Sequence, residues 1–420
     1  MALVLSKTST KQENVEPLSI KANMIWNSIG SFVYIFAQWL TTVLVVRISV
    51  GFEAAGIYTY AISIYSIFAA VAEYRMYAYQ VSDLHDENSV GEYLAFRCIT
   101  CGLSFMLTMV YSMLTSKPEL WLPVILYLLY KNTSLLLDVF HAEEQKKKRM
   151  DYIGISLAIQ GIGSVAVFWV VFQLTQNLNF TLLAMIVIVL LTGVFYDSAK
   201  VRHFADVRFG IDSKKVKRIL ITCLPGVLSL VALAGSASVP RQYLLAIMGD
   251  SALGIYGTVA APLAIIQTCA SFIFNPLLSY YTEAYEEHDK KQFTKLAFLT
   301  IVGVALLGIA SAIALWLIGD LLYSLIYGAE ILGYLYLIPL LIISSITMSL
   351  ATFLNTLLVA LRNFKATFIG GVVALVASVL TMVPFVQSYD LNGVTLSLIV
   401  ATVLSTVVMG VSIVKRLRHG

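Results

Sequence analysis

Twelve times between Met24 and Val414 the sequence runs apolar for sixteen to thirty-one residues before a short polar break interrupts it. About twenty apolar residues in a helix cross the hydrocarbon core of a bilayer. Lipid offers the backbone no hydrogen-bond partner, so a spanning segment must satisfy its own amides, as a helix does. The pattern therefore predicts an all-α integral membrane protein with about twelve transmembrane helices. The first six spans are Met24–Val46, Ala55–Tyr79, Tyr93–Thr115, Leu120–Phe140, Tyr152–Leu174 and Thr181–Tyr196. The second six are Ile219–Met248, Leu253–Tyr281, Phe293–Ile318, Ile331–Leu361, Thr367–Val386 and Val394–Val414. Composition closes the soluble alternative, since only 12% of the 420 residues are charged against about 25% in a soluble domain. The remainder is too short for a soluble domain of ordinary size, on the order of 100 residues.

The polar segment Met1–Ser19 carries Lys7, Lys11, Glu13 and Glu16 and lacks the apolar core and cleavage site of a secretory signal, so the first span is expected to stay in the membrane. With the N-terminus inside, the inner connections hold twenty-two Lys and Arg, against Lys117 alone in the outer ones. The inner groups include Lys146–Arg149, Lys200–Arg218, Lys290, Lys291, Lys295, Arg362, Lys365 and Lys415–Arg418. This bias predicts both termini in the cytoplasm and an even number of spans. The net charge of +4 then reflects topology and gives no sign of nucleic-acid binding. The outer connections are short, which leaves no room for an external catalytic domain.

The segment Gly51–Tyr58 matches Gly249–Tyr256 at five of eight positions, with an offset of 198 residues, and Ala72 matches Ala270 at the same offset. Both segments form the turn between a first and a second span, where glycine accepts positive φ and close helix approach. Chance similarity in a Gly-, Ala- and Ile-rich chain is the alternative. A true repeat implies two pseudo-symmetric six-helix lobes around a central cavity, related by an axis along the membrane normal. The expected division is 1–199 for the N-terminal lobe, 200–218 for a basic cytoplasmic linker and 219–420 for the C-terminal lobe.

A charge at the bilayer centre costs at least about 2.5–3.5 kcal/mol, so one that remains there should face water or a partner. Four cations qualify: Arg47 at the outer end of span one, Arg75 in the inner part of span two, Lys131 in the middle of span four, and Arg241 in span seven. Together they suggest a cationic cavity for a phosphate or pyrophosphate group, which Arg can grip with two parallel hydrogen bonds. Arg47 also lies close to the outer interface, and Glu73 and Asp83 are near Arg75. Arg97, at the edge of span three, is expected to snorkel.

Tyr127, Lys131, Ser134, Asp138 and His141 fall at intervals of four, three, four and three, which places them on one face of span four. Lys131 and Asp138 are about 10 Å apart on such a helix, too far for a direct ion pair. Asp138 and Glu73 are candidates for ion coupling, and His141 is read as an interface residue. Span one carries a second stripe, Asn23, Asn27, Gly30 or Ser31, Tyr34, Gln38, and Thr41 or Thr42. Its amides and hydroxyls, with Trp26 and Trp39, could contact sugar. Equally, they could bond neighbouring helices at about 0.6–2 kcal/mol each. Pro225-Gly226, Pro240-Arg241 and Asn275-Pro276 mark expected helix bends, whether gating or static.

The cysteines Cys98, Cys101, Cys223 and Cys269 read as small apolar side chains, since the single CxxC has no companion pair. No GxxxxGK[ST], HExxH or GxSxG occurs. The expectation is a transporter driven by an existing ion gradient, with no enzyme activity, cofactor or metal.

The opening of the chain resembles the polysaccharide-transporter branch of the multidrug/oligosaccharidyl-lipid/polysaccharide (MOP) flippase superfamily, the O-antigen (Wzx-type) flippases. The residues that carry the resemblance are Asn23, Asn27 and Gly30, then Arg47 near Gly51, then Ala55-Gly56-Ile57-Tyr58. It implies alternating access in a bacterial cytoplasmic (inner) membrane, with undecaprenyl-diphosphate-linked oligosaccharide as substrate. Surface polysaccharide (O-antigen, capsule or exopolysaccharide) would be the product pathway. It further implies attraction of the pyrophosphate to Arg241, Lys131, Arg47 and Arg75, and sugar contacts from Asn23, Asn27, Gln38 and Tyr127. Coupling to H+ or Na+, contact with membrane lipid, a monomeric state, and a polysaccharide polymerase with chain-length proteins as partners complete the expectation. The scarcity of acids in the second-half spans leaves the ion open. A multidrug or metabolite exporter of the same fold, and a membrane-embedded polymerase, are the alternatives. The first would need cavity acids where bases dominate. The second would need catalytic carboxylates outside, where Glu53, Glu119, Asp250, Asp320, Glu330 and Asp390 stand isolated.

Overall fold

The computed structural model describes residues 16–419, apart from 50, 82, 84–87, 204, 206, 208, 275–276, 278–280, 282–283, 286 and 362. Lys7, Lys11, Glu13, Arg362 and the Asn275-Pro276 pair lie outside the described residues. The first half contains α1 (Ile20–Ile48), α2 (Glu53–Glu73), α3 (Met76–Val81), α4 (Val90–Thr115), α5 (Trp121–Lys146), α6 (Met150–Thr175), α7 (Leu178–Thr192) and α8 (Ser198–Val201). The second contains α9 (Ser213–Ala260), α10 (Ala264–Phe274), α11 (Lys290–Tyr327), α12 (Ile338–Ala360), α13 (Phe364–Tyr389) and α14 (Leu391–His419). Eleven helical stretches among the described residues are long and apolar enough to cross a membrane. One of them, Ser213–Ser271, has 59 residues, about 88 Å at 1.5 Å per residue and so enough for two crossings. Gly249, at φ 83° and ψ −179°, breaks it in two, which restores the expected twelve. The chain is a multi-pass helical membrane protein.

Helix starts follow local chemistry. Ser89 and Glu92 form a reciprocal capping box at α4, while Asn177, Asp289 and Asn363 cap α7, α11 and α13. Two spans depart from the sequence expectation. The second is not one helix from Ala55 to Tyr79: it stops at Glu73, and Tyr74 and Arg75 adopt φ 45° and 55° before α3 resumes. The sixth runs past Tyr196, because a five-residue π-helical turn, Gly193–Asp197, carries α7 into α8. Its terminal Asp197 is fully buried, which a pattern based on polarity reads as the end of a span.

The described chain divides into two compact units, one of Met1–Ile48 with Phe68–Leu224, the other of Ser49–Ile67 with Pro225–Gly420. In the first, α1 lies against α6 so closely that a Cβ on Gly30 would run into the backbone of Gly154. Small residues at such crossings are how membrane helices approach one another. In the second, serines tie helices together through backbone carbonyls: Ser229 Oγ donates to Thr367 O at 2.9 Å and Ser378 Oγ to Ser236 O at 2.6 Å. A cluster around Phe274, Tyr281, Phe293 and Phe353 forms an aromatic core.

The repeat has a geometric counterpart within the second unit. Gly51 and Gly249 share positive φ, 77° and 83°. A Cβ on Gly56 would strike the carbonyl of Asp250, and one on Gly254 would strike the carbonyl of Phe52. Adding 198 to 56 and 52 gives 254 and 250, so the two segments meet reciprocally, as a two-fold relation requires. Chance similarity does not produce that reciprocity.

Candidate functional site

The polar face of α5 is the organising feature of the first unit. Lys131 Nζ donates to Gln38 Oε1 of α1 at 3.0 Å, and Gln38 Nε2 donates to the Tyr130 hydroxyl at 2.7 Å. Tyr130 OH in turn reaches Ser164 Oγ of α6 at 3.4 Å. The ammonium sits 5.6 Å from the ring centre of Tyr34 and 5.7 Å from that of Tyr130, within cation–π range. Lys131 makes no ion pair with an acid among the described residues. It is half-buried.

A second chain of hydrogen bonds runs along α5 from Tyr34. Tyr34 OH lies 3.3 Å from Ser134 Oγ, Ser134 Oγ donates to Gln160 Oε1 at 2.8 Å, and Gln160 Nε2 donates to Ser156 Oγ at 3.1 Å. Ser156 Oγ is 3.0 Å from His141 Nε2. His141 is buried, not an interface residue, because Asp138 and Asp197 flank it at 3.6 and 3.4 Å. Asp138 is half-buried, and Glu73, exposed at the end of α2, feels the charges of Asp138, Arg97 and Lys131. The structure thus brings Lys131, Gln38, Asp138 and Glu73 into one electrostatic neighbourhood.

Other residues singled out from sequence are used differently. Asn23 is buried with both ends of its amide engaged by backbone: Nδ2 donates to Leu18 O at 3.1 Å and Oδ1 accepts from Met150 N at 2.9 Å. Tyr127 is buried against Tyr130, their ring centres 6.1 Å apart. Asn27 is half-buried and Trp26 is exposed. Arg47 is exposed in the last turn of α1. Arg75 lies in the break after α2, half-buried, without an ion pair to Glu73 or Asp83 among the described residues, and its Nε has no hydrogen bond. Arg97 does not snorkel. It is fully buried, and Nη1 donates to Ala72 O at 2.9 Å and Glu73 O at 2.6 Å. Those are the carbonyls the break in span two leaves open, so the guanidinium is a buried helix cap.

In the second unit Arg241 is half-buried, its guanidinium 5.8 Å from the ring centre of Tyr256. Thr395 Oγ1 donates to the hydroxyl of that tyrosine at 3.2 Å. Arg241 has no acid partner among the described residues, and its Nε is buried without a hydrogen bond. The helix passes through Pro225 and Pro240 with helical dihedrals throughout, apart from Gly249. The cysteines are free thiols, Cys98 exposed and Cys101 buried.

The polar face of span four included His141, but the sequence did not show the group it belongs to: His141, Glu144 and Asp197, all buried and mutually close. Glu144 was within reach, since it continues the face of Asp138 and His141 by three residues. Asp197 was not, because only the π-helical turn aims it at α5.

Comparison with known proteins agrees with this architecture. No family model matches the chain. It is 23% identical over 385 residues to the capsular polysaccharide biosynthesis protein CapF of Staphylococcus aureus, covering 90% of this chain and 95% of that protein. Among solved structures it is similar to the lipid II flippase MurJ in an inward closed conformation, with TM-score 0.71 and 12% identity over 94% of this chain and 89% of that one. It is also similar to an inward-facing multidrug resistance MATE family transporter of the MOP superfamily, with TM-score 0.64 and 13% identity over 94% and 98% of the two chains. The chain has the fold of these transporters.

Proposed function

We propose that the chain is a flippase that moves an undecaprenyl-diphosphate-linked oligosaccharide across the cytoplasmic membrane by alternating access, for the assembly of a surface polysaccharide. The observation that carries this reading is Lys131. Its ammonium is held by an amide oxygen and two tyrosine rings, none of which cancels its charge. A cation kept in a span without an acid partner is costly, and an anionic headgroup supplies what the site lacks. Gln38 fixes the ammonium, and the two tyrosine rings flank it while leaving it half-exposed. Arg241 is proposed as an independent contact to the same class of headgroup, with Arg47 and Arg75 in supporting roles and Asn27 as a sugar contact. Asn23 and Tyr127, taken up by internal packing, are the weaker sugar contacts of the expected set. The capsular relative and the lipid II flippase likeness support a lipid-linked substrate. Glu73 and Asp138, beside Lys131, are the proposed groups through which H+ or Na+ movement couples to transport. Cytoplasmic termini, a monomer, and a polymerase with chain-length proteins as partners belong to the same proposal.

The multidrug-exporter reading draws on the MATE likeness, but a cationic drug would meet Lys131 first. Reconstitution of the purified protein with a fluorescent lipid-diphosphate oligosaccharide, read by accessibility to an external reagent, tests the choice. Translocation by the wild type and its loss in Lys131→Ala are expected. Export of a cationic dye with no movement of the lipid-linked sugar would reverse the assignment.

A further inference from the structure

We infer that His141, Glu144 and Asp197 form a binding site for a first-row divalent cation such as Mn2+ or Zn2+. The site is built from two elements. His141 and Glu144 stand one turn apart on α5, and Asp197 ends the π-helical turn between α7 and α8. Turns of this kind interrupt helices frequently at functional positions. Gly193 opens the turn where α7 presses on α5, and a Cβ there would collide with Leu137.

One ligand atom from each residue lies within 4.8 Å of the others, and His141 Nε2 is 3.4 Å from Asp197 Oδ1. A tetrahedral ion with bonds of about 2.0–2.1 Å separates its ligands by roughly 3.4 Å. Both carboxylate oxygens of Glu144 are buried without a hydrogen bond, as are both of Asp197, and each residue is fully enclosed. Such groups are almost always satisfied, so these point to a missing partner.

The surroundings supply the rest of a metal site. Asp138 Oδ1 lies 3.6 Å from Nδ1, just beyond hydrogen-bond distance and placed to take the outer N–H of the imidazole once Nε2 ligates an ion. Ser156 Oγ stands 3.0 Å from Nε2, oriented by Gln160. The other charges in reach of Glu144 are Asp151 and Lys200. Lys200 lies over the rings of Tyr152 and Tyr196 and pairs with no acid among the described residues. A protonated His141 would offset one carboxylate of three. One imidazole, two carboxylates and a hydroxyl, with no thiolate, suit Zn2+, or the harder Mn2+, better than Cu(I), or than Mg2+ with its preference for oxygen.

The test uses the full-length protein in detergent, stripped with chelator, exposed to Mn2+ or Zn2+ and desalted. Metal content and the unfolding midpoint are then measured. The wild type should retain one equivalent and gain a midpoint shift that EDTA reverses. Glu144→Gln and Asp197→Asn should lose both, and Asp138→Asn, which does not touch the ion, should bind about 10–100-fold more weakly. Glu119→Gln, in an exposed turn, should match the wild type. No uptake by the stripped wild type, meaning that protons or the imidazolium satisfy the acids, would overturn the assignment. So would equal uptake by every variant. Should the carboxylate variants fail to fold, the wild-type midpoint with and without metal decides, and an unmoved midpoint counts against the site. None of these readouts depends on transport.

Discussion

Alanine at Gly56 or Gly254 tests the repeat through a reversal of sign. In an unhindered helix, Gly→Ala stabilises by about 1 kcal/mol. Gly102, helical on α4 with nothing within 4 Å of its would-be Cβ, should show that gain. At Gly254 the new methyl meets the Phe52 carbonyl, and at Gly56 it meets the Asp250 carbonyl. Overpacking costs about 1–3 kcal/mol. Here the obstacle is main chain that cannot rotate away, so the upper part of that range applies. Subtracting the propensity gain leaves each single variant destabilised by about 1–2 kcal/mol. The two collisions occur across one contact, and one separation of the segments relieves both. The double variant should therefore fall short of the sum by at least about 0.5 kcal/mol. Unfolding in detergent, followed by helical signal against denaturant, measures all four proteins. If Gly56→Ala and Gly254→Ala stabilise as Gly102→Ala does, or if the double variant is strictly additive, the reciprocal contact is not part of the native protein.

Arg97→Met should destabilise the first unit by about 1.5–3 kcal/mol, one charge-assisted bond, because Ala72 O keeps Thr100 Oγ1 at 2.8 Å while Glu73 O loses its side-chain donor. An unchanged denaturation midpoint would remove the helix-cap role. Ser89→Ala dismantles the capping box of α4 and should cost about 1 kcal/mol in the same assay. Lys131→Ala should weaken uptake of a lipid diphosphate about ten- to hundredfold, the worth of one charged hydrogen bond, while Lys131→Arg keeps more than half of that loss from appearing. Equal transport by both variants would show that the charge is not used.

The spans were legible because lipid imposes one rule, length of apolar helix, which the intervals between polar breaks record directly. Cap positions such as Ser89 and Asn363 were equally local. The repeat was visible as five matching residues, but its meaning lay in which backbone atoms Gly56 and Gly254 touch. Burial of charge was the part that sequence hid. Arg97 sits beside a span edge, where snorkelling is the ordinary outcome, and only the positive φ of Tyr74 and Arg75 creates the open carbonyls that draw it inward. Asp197 ended a span by polarity and continued it in fact, because its partners come from a helix more than fifty residues earlier. Long-range pairing of polar groups has no period to read.

One helix, α5, carries two opposite charge problems, and distance decides whether they cancel. Lys131 and Glu144 are thirteen residues apart, about 20 Å along the axis, and Asp138 is about 10 Å from Lys131. At an effective dielectric of about 20, unit charges at those separations attract by roughly 1–2 kcal/mol. Taking a charged group out of water costs several kcal/mol even after relaxation. The attraction is too weak to settle either end on behalf of the other. Lys131 reaches Tyr34 only through the face of its ring, and from Tyr34 to His141 the links are hydrogen bonds between uncharged groups, through Ser134, Gln160 and Ser156. The cation at Lys131 and the carboxylates of Glu144 and Asp197 are therefore separate charge problems. The anionic headgroup and the metal ion proposed above answer the two problems independently.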